Sequence, residues 1–231
     1  MKHISLCLTN YNRLEFLLNS FAKVENDPRI SEIVISDDCS DMYIWNQLTH
    51  ELKDHSKVKL FRNDKNVDCY VNKKLSIERA TNDYVIILDS DNQIDTDYLD
   101  AIYAEEWNPK LILAPSYAKP TFDYRHLEGI YITKGNISFI YDEPMLPTAL
   151  NTMNYFVNRQ EYLDCWDGSV DPVTADSIYQ NYNFLKNGGE IKIVPNMHYL
   201  HAVHNGSHYV NNVHRTGDFY NFVEQQIRNL K

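Results

Sequence analysis

The sequence predicts an α/β protein built on a mostly parallel central sheet flanked by helices. Two observations carry that expectation. Through the first ninety residues, short apolar runs alternate with longer stretches of helical periodicity in strict turn. That order implies right-handed crossovers and helices on both faces of a sheet. The runs are also apolar at consecutive rather than alternate positions, as in "VIILD", which is how strands buried on both faces read.

Taken in order, "HISLCLT" (residues 3–9) is the first strand. "RLEFLLNSFAKV" (13–24) carries Leu14, Leu17, Leu18 and Phe21 on one helical stripe. "ISEIVISDD" (30–38) is a second strand ending in acids. Residues 42–52 form a helix and "VKLFRN" (58–63) a third strand. Residues 69–81 read as a helix, with Val71, Leu75 and Ile77 near one face, and "DYVIILD" is the fourth strand.

The second half is less regular. Residues 95–107 read as a helix capped by Asp or Thr, and "KLILAP" as a strand. Residues 117–147, rich in Tyr, Pro and Gly, read as irregular strands and loops. "RQEYLDCW" is a short helix. Residues 175–189 are a helix closed by a glycine pair, "EIKIVP" is a strand, and residues 217–231 form an amphipathic helix. No repeat, low-complexity tract or linker divides the chain, so a single domain with two functional halves is expected.

Composition narrows the function classes. The chain has 231 residues, 43% of them hydrophobic, with 32 acidic against 22 basic side chains and a net charge of −10. That balance argues against a nucleic-acid backbone as the main partner. Cys7, Cys39, Cys69 and Cys165 are scattered and form no CxxC pair. Neither a zinc cluster nor a disulfide framework is expected, and a reducing compartment fits. No apolar run approaches a membrane span, and "ISLCL" is too short for a signal-peptide core. A soluble, cytoplasmic protein is the expectation.

The sharpest chemistry lies at strand ends. Thr9, Tyr11, Asp37, Asp38, Asp89 and Asp91 all follow a strand's carboxyl end, where open α/β sheets bind their ligands. "LDSDN" places Asp89 and Asp91 one residue apart. On its own such a pair reads as a helix cap plus a solvated acid. As a calcium loop, "DSDNQIDTDYLD" lacks the Gly at position 6 and the Glu at position 12. As a Mg²⁺ or Mn²⁺ site for a nucleotide diphosphate it needs only one or two carboxylates beside phosphate oxygens.

The pair does not stand alone. "LTNYNR", "VISDDCSD" and "LDSDN" follow strands one, two and four in that order. This resembles the family 2 glycosyltransferases of GT-A fold, whose signatures look like "PTYNR", "DDGS" and DxD. Further on, "WDGSVDPVTADSIYQNYNFLKNGGEIKIVPNMHYLH" is similar to that family's acceptor segment. The resemblance spans residues 4–201.

The resemblance implies a nucleotide-sugar-binding half over residues 1–93 and an acceptor-binding half over 94–231. It implies that Thr9 and Tyr11 line a nucleobase pocket and that Asp38 accepts from a uracil N3–H. Asp89 would contact ribose or sugar, with Asp37 structural or a ribose contact. Asp91 and His201 would hold Mn²⁺ or Mg²⁺. Among the histidines at 198, 201, 204 and 208, His201 ranks first. Asp176 is the implied general base, with Asp171 as the fallback, although an acid at a helix start is also a plausible N-cap.

Two departures stand out. Ala175 occupies the place of the family's Glu. In "NVDCYVNKKLS" the basic residue expected to reach the pyrophosphate is replaced by Val71, and Asp68 falls near the family's Gly. Lys73, Lys74 or Arg79 could supply the charge.

The implied reaction is a metal-dependent single displacement that inverts the anomeric carbon, moving a sugar from a UDP-sugar to a hydroxyl of a glycan, glycoprotein or lipid-linked acceptor. No nucleic acid or integral membrane segment is expected. Three other readings compete. A sugar-phosphate nucleotidyltransferase would carry a Gly-rich basic loop after strand one, and "TNYNRLEF" has no Gly. A catalytically inactive nucleotide-sugar or glycan-binding module draws support from the two departures. A calcium- or zinc-binding structural protein lacks the spacing of either site.

Overall fold

A computed structural model of the chain describes residues 2–152, 154–202 and 208–230, without the side chains of 208–211 and 213–215. The first half alternates strand and helix: β1 (Ile4–Asn10), α1 (Leu14–Phe21), β2 (Ile30–Asp37), α2 (Met42–Leu52), β3 (Val58–Arg62), α3 (Asp68–Glu78) and β4 (Tyr84–Asp89). There follow α4 (Thr96–Tyr103), β5 (Leu111–Lys119), β6 (Phe122–Asp123), β7 (Tyr131–Thr133), α5 (Ile137–Ile140), α6 (Leu146–Leu150), β8 (Phe156–Asn158), α7 (Arg159–Asp164), α8 (Asp176–Lys186), β9 (Glu190–Leu200) and α9 (His208–Arg228).

The strands form one sheet in the order β3-β2-β1-β4-β8-β5-β9-β7, with β6 paired to β5. Strands β1 to β4 are mutually parallel, as are β5 and β9, while β8, β7 and β6 run antiparallel to their neighbours. The expected mostly parallel sheet is therefore present, with antiparallel pieces only in the second half. The chain leaves β1 toward β2 and β3, then returns to place β4 on the other side of β1. This reversal falls at the carboxyl ends of β1 and β4, the place where doubly wound sheets hold ligands.

The consecutive apolar runs are buried on both faces. Leu6, Leu8, Ile33, Ile35, Ile86 and Leu88 pack into one core, and Cys7, Val34, Val85 and Ile87 into the other. Alternate residues of one strand thus feed opposite layers, which is why no polar alternation marks these strands in the sequence.

Several elements differ from expectation, among them the short helices α5 and α6, which fall in and just past the stretch read as strands and loops. Strand β8 has only three residues and was hidden in "NYFVNRQ", too short for any period to register. Strand β9 runs five residues beyond Pro195, with a register shift opposite β5 and Asn196 at φ 63°. Helix α9 starts at His208, not at Gly217. A lone glycine lowers helix propensity without ending a helix.

Candidate active site

Backbone register builds the site. Thr9 lies directly beside Asp89 on β4 and beside Ser36 on β2, and Asn10 lies beside Asp37. The strand ends predicted to be functional therefore converge at the reversal between β1 and β4.

The two acids after β2 separate in role. Asp37 is fully buried and takes hydrogen bonds from Asn10 Nδ2 (2.8 Å), Ser40 N (2.9 Å) and Ser40 Oγ (2.5 Å). It pins the β1 and β2 loops together, a structural use. Asp38 accepts from Asn63 Nδ2 at 3.0 Å and Val67 N at 2.9 Å. Burial pushes its carboxyl above the ordinary value, against the hydrogen bonds from Asn63, Val67 and Asp68. Tyr11, by contrast, is half exposed at 50%, just past the end of β1, and Thr9 is partly buried.

The turn after β4 is held by amides. Asn154 Oδ1 accepts from Asp89 N (3.1 Å) and Asn92 Nδ2 (3.2 Å), and Asn92 N bonds back to Asp89 O. Gln93 and Leu200 exchange both backbone hydrogen bonds, at 3.0 and 2.8 Å. That exchange seats the end of β9, and with it His201, against the acidic turn. Burial lowers the His201 imidazole below its ordinary value, although the charges of Asp91 and Asp89 act to raise it. Its Nδ1 is buried with no hydrogen-bond partner among the described residues. Asp91 itself is bonded by Arg13 Nη1 at 2.7 Å.

The charges of Asp89 and Asp91 reach the imidazole whose Nδ1 is orphaned, although the ligand atoms of these three side chains do not all lie within 4.8 Å of one another; the carboxylates are the donors that suit Mn²⁺ or Mg²⁺. Asp91 and His201 would hold such an ion. A second group, Asp95, Asp97 and His198, has ligand atoms all within 4.8 Å of one another. Asp95 also caps α4 by accepting from Asp97 N, as its place before that helix predicts. His198 thus joins a different trio of potential ligands from the one expected of His201. His204 and the side chain of His208 lie outside the described residues.

Asp176 is the first residue of α8 and is 6% exposed, but it makes no side-chain cap bond; Ala175 holds the cap position. The N-cap reading of Asp176 is therefore corrected. Its Oδ2 instead meets Lys73 Nζ at 2.9 Å, and the same Nζ lies 2.9 Å from Asp89 Oδ1. Burial would pull the ammonium down, but the charges of Asp176 and Asp89 outweigh it and hold Lys73 above its ordinary value. Asp171, the fallback base, is exposed and spends Oδ1 on Val173 N at 3.0 Å.

Of the three basic residues named as substitutes for the missing cation, Lys73 alone enters the site. Lys74 pairs with Glu78 on the helix surface, and Arg79 bonds Ser36 and Asn63. Val71 is 40% exposed. Asp68, which falls near the family's Gly, adopts φ 70°, a left-handed conformation that glycine takes most easily.

The sequence reading assigned no role to Arg13, Asn63 or Asn154. Arg13 was visible in "LTNYNR". The two asparagines carry no pattern, because only the fold brings them to the acids.

Comparison with known proteins agrees with this geometry. The chain superposes on S. aureus TarS 1–349 in complex with UDP-GlcNAc with a TM-score of 0.72 at 15% identity, covering 100% of this chain and 68% of that one. The complex of the same protein with UDP gives 0.65 at 14% identity, covering 98% and 64%. Against the longer TarS structure the values are 0.67 and 13%, and this chain spans 40% of it. No curated protein sequence matches closely enough to add a further relative. The model of glycosyl transferase family 2 matches residues 5–166, well over half of the chain. With that match and a GT-A architecture, the chain belongs to glycosyl transferase family 2 and is a glycosyltransferase.

Proposed function

We propose that the protein transfers a sugar from a UDP-sugar to a hydroxyl of a glycan, glycoprotein or lipid-linked acceptor. The observation that carries the reading is that Asp89 from the first half and Asp176 from the second meet on one buried lysine, at the edge of the sheet where the strands that lead to Asp38 and Asp91 also end. The TarS complexes with UDP-GlcNAc and UDP support the choice of nucleotide.

In this reading Asp38 accepts from uracil N3–H, which cytosine lacks. Thr9 lines the base pocket and the exposed Tyr11 ring stacks on the base. Asp89 contacts the ribose or sugar. Asp91 and His201 hold Mn²⁺ or Mg²⁺, which when bound stabilises the charge growing on the diphosphate. Asp176 takes the proton from the acceptor hydroxyl as that oxygen attacks the anomeric carbon, and one displacement inverts the centre. Residues 1–93 serve the donor and 94–231 the acceptor.

The test is a panel of UDP-GlcNAc, UDP-glucose, UDP-galactose, GDP-mannose and CMP-sialic acid with Mn²⁺, scoring release of the nucleotide. A UDP-sugar should be turned over fastest, and excess EDTA should stop the reaction. Binding of UDP without turnover of any donor would leave an inactive nucleotide-sugar-binding module. Turnover of a GDP- or CMP-sugar alone would reject the role of Asp38.

A further inference from the structure

Among the described residues, Lys73 is the cation that bonds both Asp89 and Asp176. It projects from the middle of α3 and is 5% exposed, with Asp89 Oδ1 and Asp176 Oδ2 each 2.9 Å from its Nζ. A single ammonium so placed carries the charge compensation of two carboxylates from different parts of the fold.

The helix that presents it is tied to the acceptor segment at further points. Cys69 Sγ donates to Val173 O at 3.3 Å, in the loop that leads into α8. Tyr70 donates to Asp167 O at 3.1 Å and to Gln180 Oε1 on α8 at 3.2 Å, and its ring stacks on Trp166 at 4.4 Å between centroids. Val173 sits at φ 54°, a conformation that a β-branched residue adopts only where its surroundings impose it. Helix α3 therefore fixes where Asp176 stands.

We propose that Lys73 is a positioning residue that holds Asp176 in place and couples it to the donor side through Asp89. The inference rests on Asp176 being the general base. Because Nζ is shared, a change in what Asp89 binds alters how firmly Lys73 holds Asp176. Arrival of a donor at Asp89 is thereby felt at the acceptor base, and such a coupling is reciprocal. Surface charge screening does not weaken it, since the ammonium is buried.

A double-mutant cycle on turnover of UDP-GlcNAc, UDP-glucose or UDP-galactose, whichever the wild type uses, tests this. Asp176→Asn should lower kcat by roughly 10²–10⁴-fold, the worth of a positioned base, with a smaller change in donor KM than Lys73→Met produces. Lys73→Met should lower kcat and also raise the donor KM, because it strips Asp89 of its partner. Lys73→Arg, which keeps the charge, should recover part of the lost kcat. The decisive variant is Lys73→Met with Asp176→Asn: its kcat should match that of Asp176→Asn alone. If Lys73→Met does not fold, the double variant, which removes the cation together with one anion, still supplies that comparison.

Multiplying losses in the double variant, or a Lys73→Met enzyme with wild-type kcat beside a crippled Asp176→Asn, would overturn the coupling and leave the base assignment standing. An Asp176→Asn enzyme with wild-type kcat would remove the base and this inference together, and so would a wild type that uses none of the three donors.

Discussion

Asp38 and Asp91 show how one residue type takes different work from its surroundings. Asp38 is buried, its carboxyl pushed upward by desolvation and met by Asn63 and Val67. Replacing it with Asn keeps the shape and removes the charge. Asp38→Asn should weaken UDP binding by about 1.5–3 kcal/mol, the range of a charge-assisted hydrogen bond, and narrow the preference for UDP over CDP. Calorimetry with both nucleotides checks this, and an unchanged preference would count against Asp38 as the base reader. Asp91 is engaged by Arg13. Asp91→Asn should cost the dependence of UDP binding on Mn²⁺ while leaving thermal stability near wild type. These acids were legible because each follows an apolar run. Lys73 was legible only as one of three nearby cations. Nothing in "VNKKLS" separates it from Lys74 until α3 turns one inward and the other toward Glu78.

At the scale of elements, stability and function occupy opposite ends of the strands. At the amino end of the sheet, Glu32 of β2 is 4% exposed. It is bonded by Ser5 Oγ of β1, Lys59 Nζ of β3 and Thr81 N ahead of β4. Burial alone would raise its carboxyl, but Lys59, Ser5 and Thr81 more than offset that and hold it at about 2. A folded-state value below the unfolded one means the stabilisation is complete above about pH 4.5 and is lost as pH falls toward about 2; the drop is worth about 2–3 kcal/mol. Glu32→Gln should therefore lower unfolding free energy by that amount at pH 7, and the two curves should converge near pH 2. Urea titrations at both pH values measure the difference, and a constant gap would reject it. Of the four strands that this cluster joins, β2 and β4 end at acids of the site; the succession of the four along the chain is legible in the alternation of runs, their order in the sheet is not. The second half resisted such reading for a physical reason. Strands of two and three residues complete no period, and β8 is set between β4 and β5 by tertiary pairing with Tyr84, Val85 and Ile86. Likewise Gly188, at φ 83°, and Gly189, with no room for a Cβ beside Phe184, mark the end of α8 plainly, whereas Gly217 lies inside α9 and marks nothing.

For the molecule as a whole, the sheet divides two apolar layers and leaves a polar edge, where Asp89 and Asp176 meet on Lys73 of α3. Among the described residues no helix is long and apolar enough to cross a membrane. A ligand that binds this edge stabilises every element packed behind it, because it binds the folded chain and not the unfolded one. UDP with Mn²⁺ at a hundred times its Kd should contribute about 2.7 kcal/mol, which for a chain of this size raises Tm by about 5–10 °C. CDP with Mn²⁺ at the same concentration should raise it less, since cytosine offers Asp38 no N3–H. The variants then separate by location. Asp38→Asn should shrink the UDP shift, and Asp91→Asn should erase the part that depends on Mn²⁺. Glu32→Gln should lower the starting Tm while leaving the shift intact, because it lies at the far end of the strands. Asp176→Asn should retain most of the shift though turnover falls, since in the proposed assignment it serves the acceptor. A thermal scan of these variants with and without nucleotide thus locates the donor site independently of any acceptor. Equal shifts with UDP and CDP in the wild type would place the nucleotide elsewhere than against Asp38.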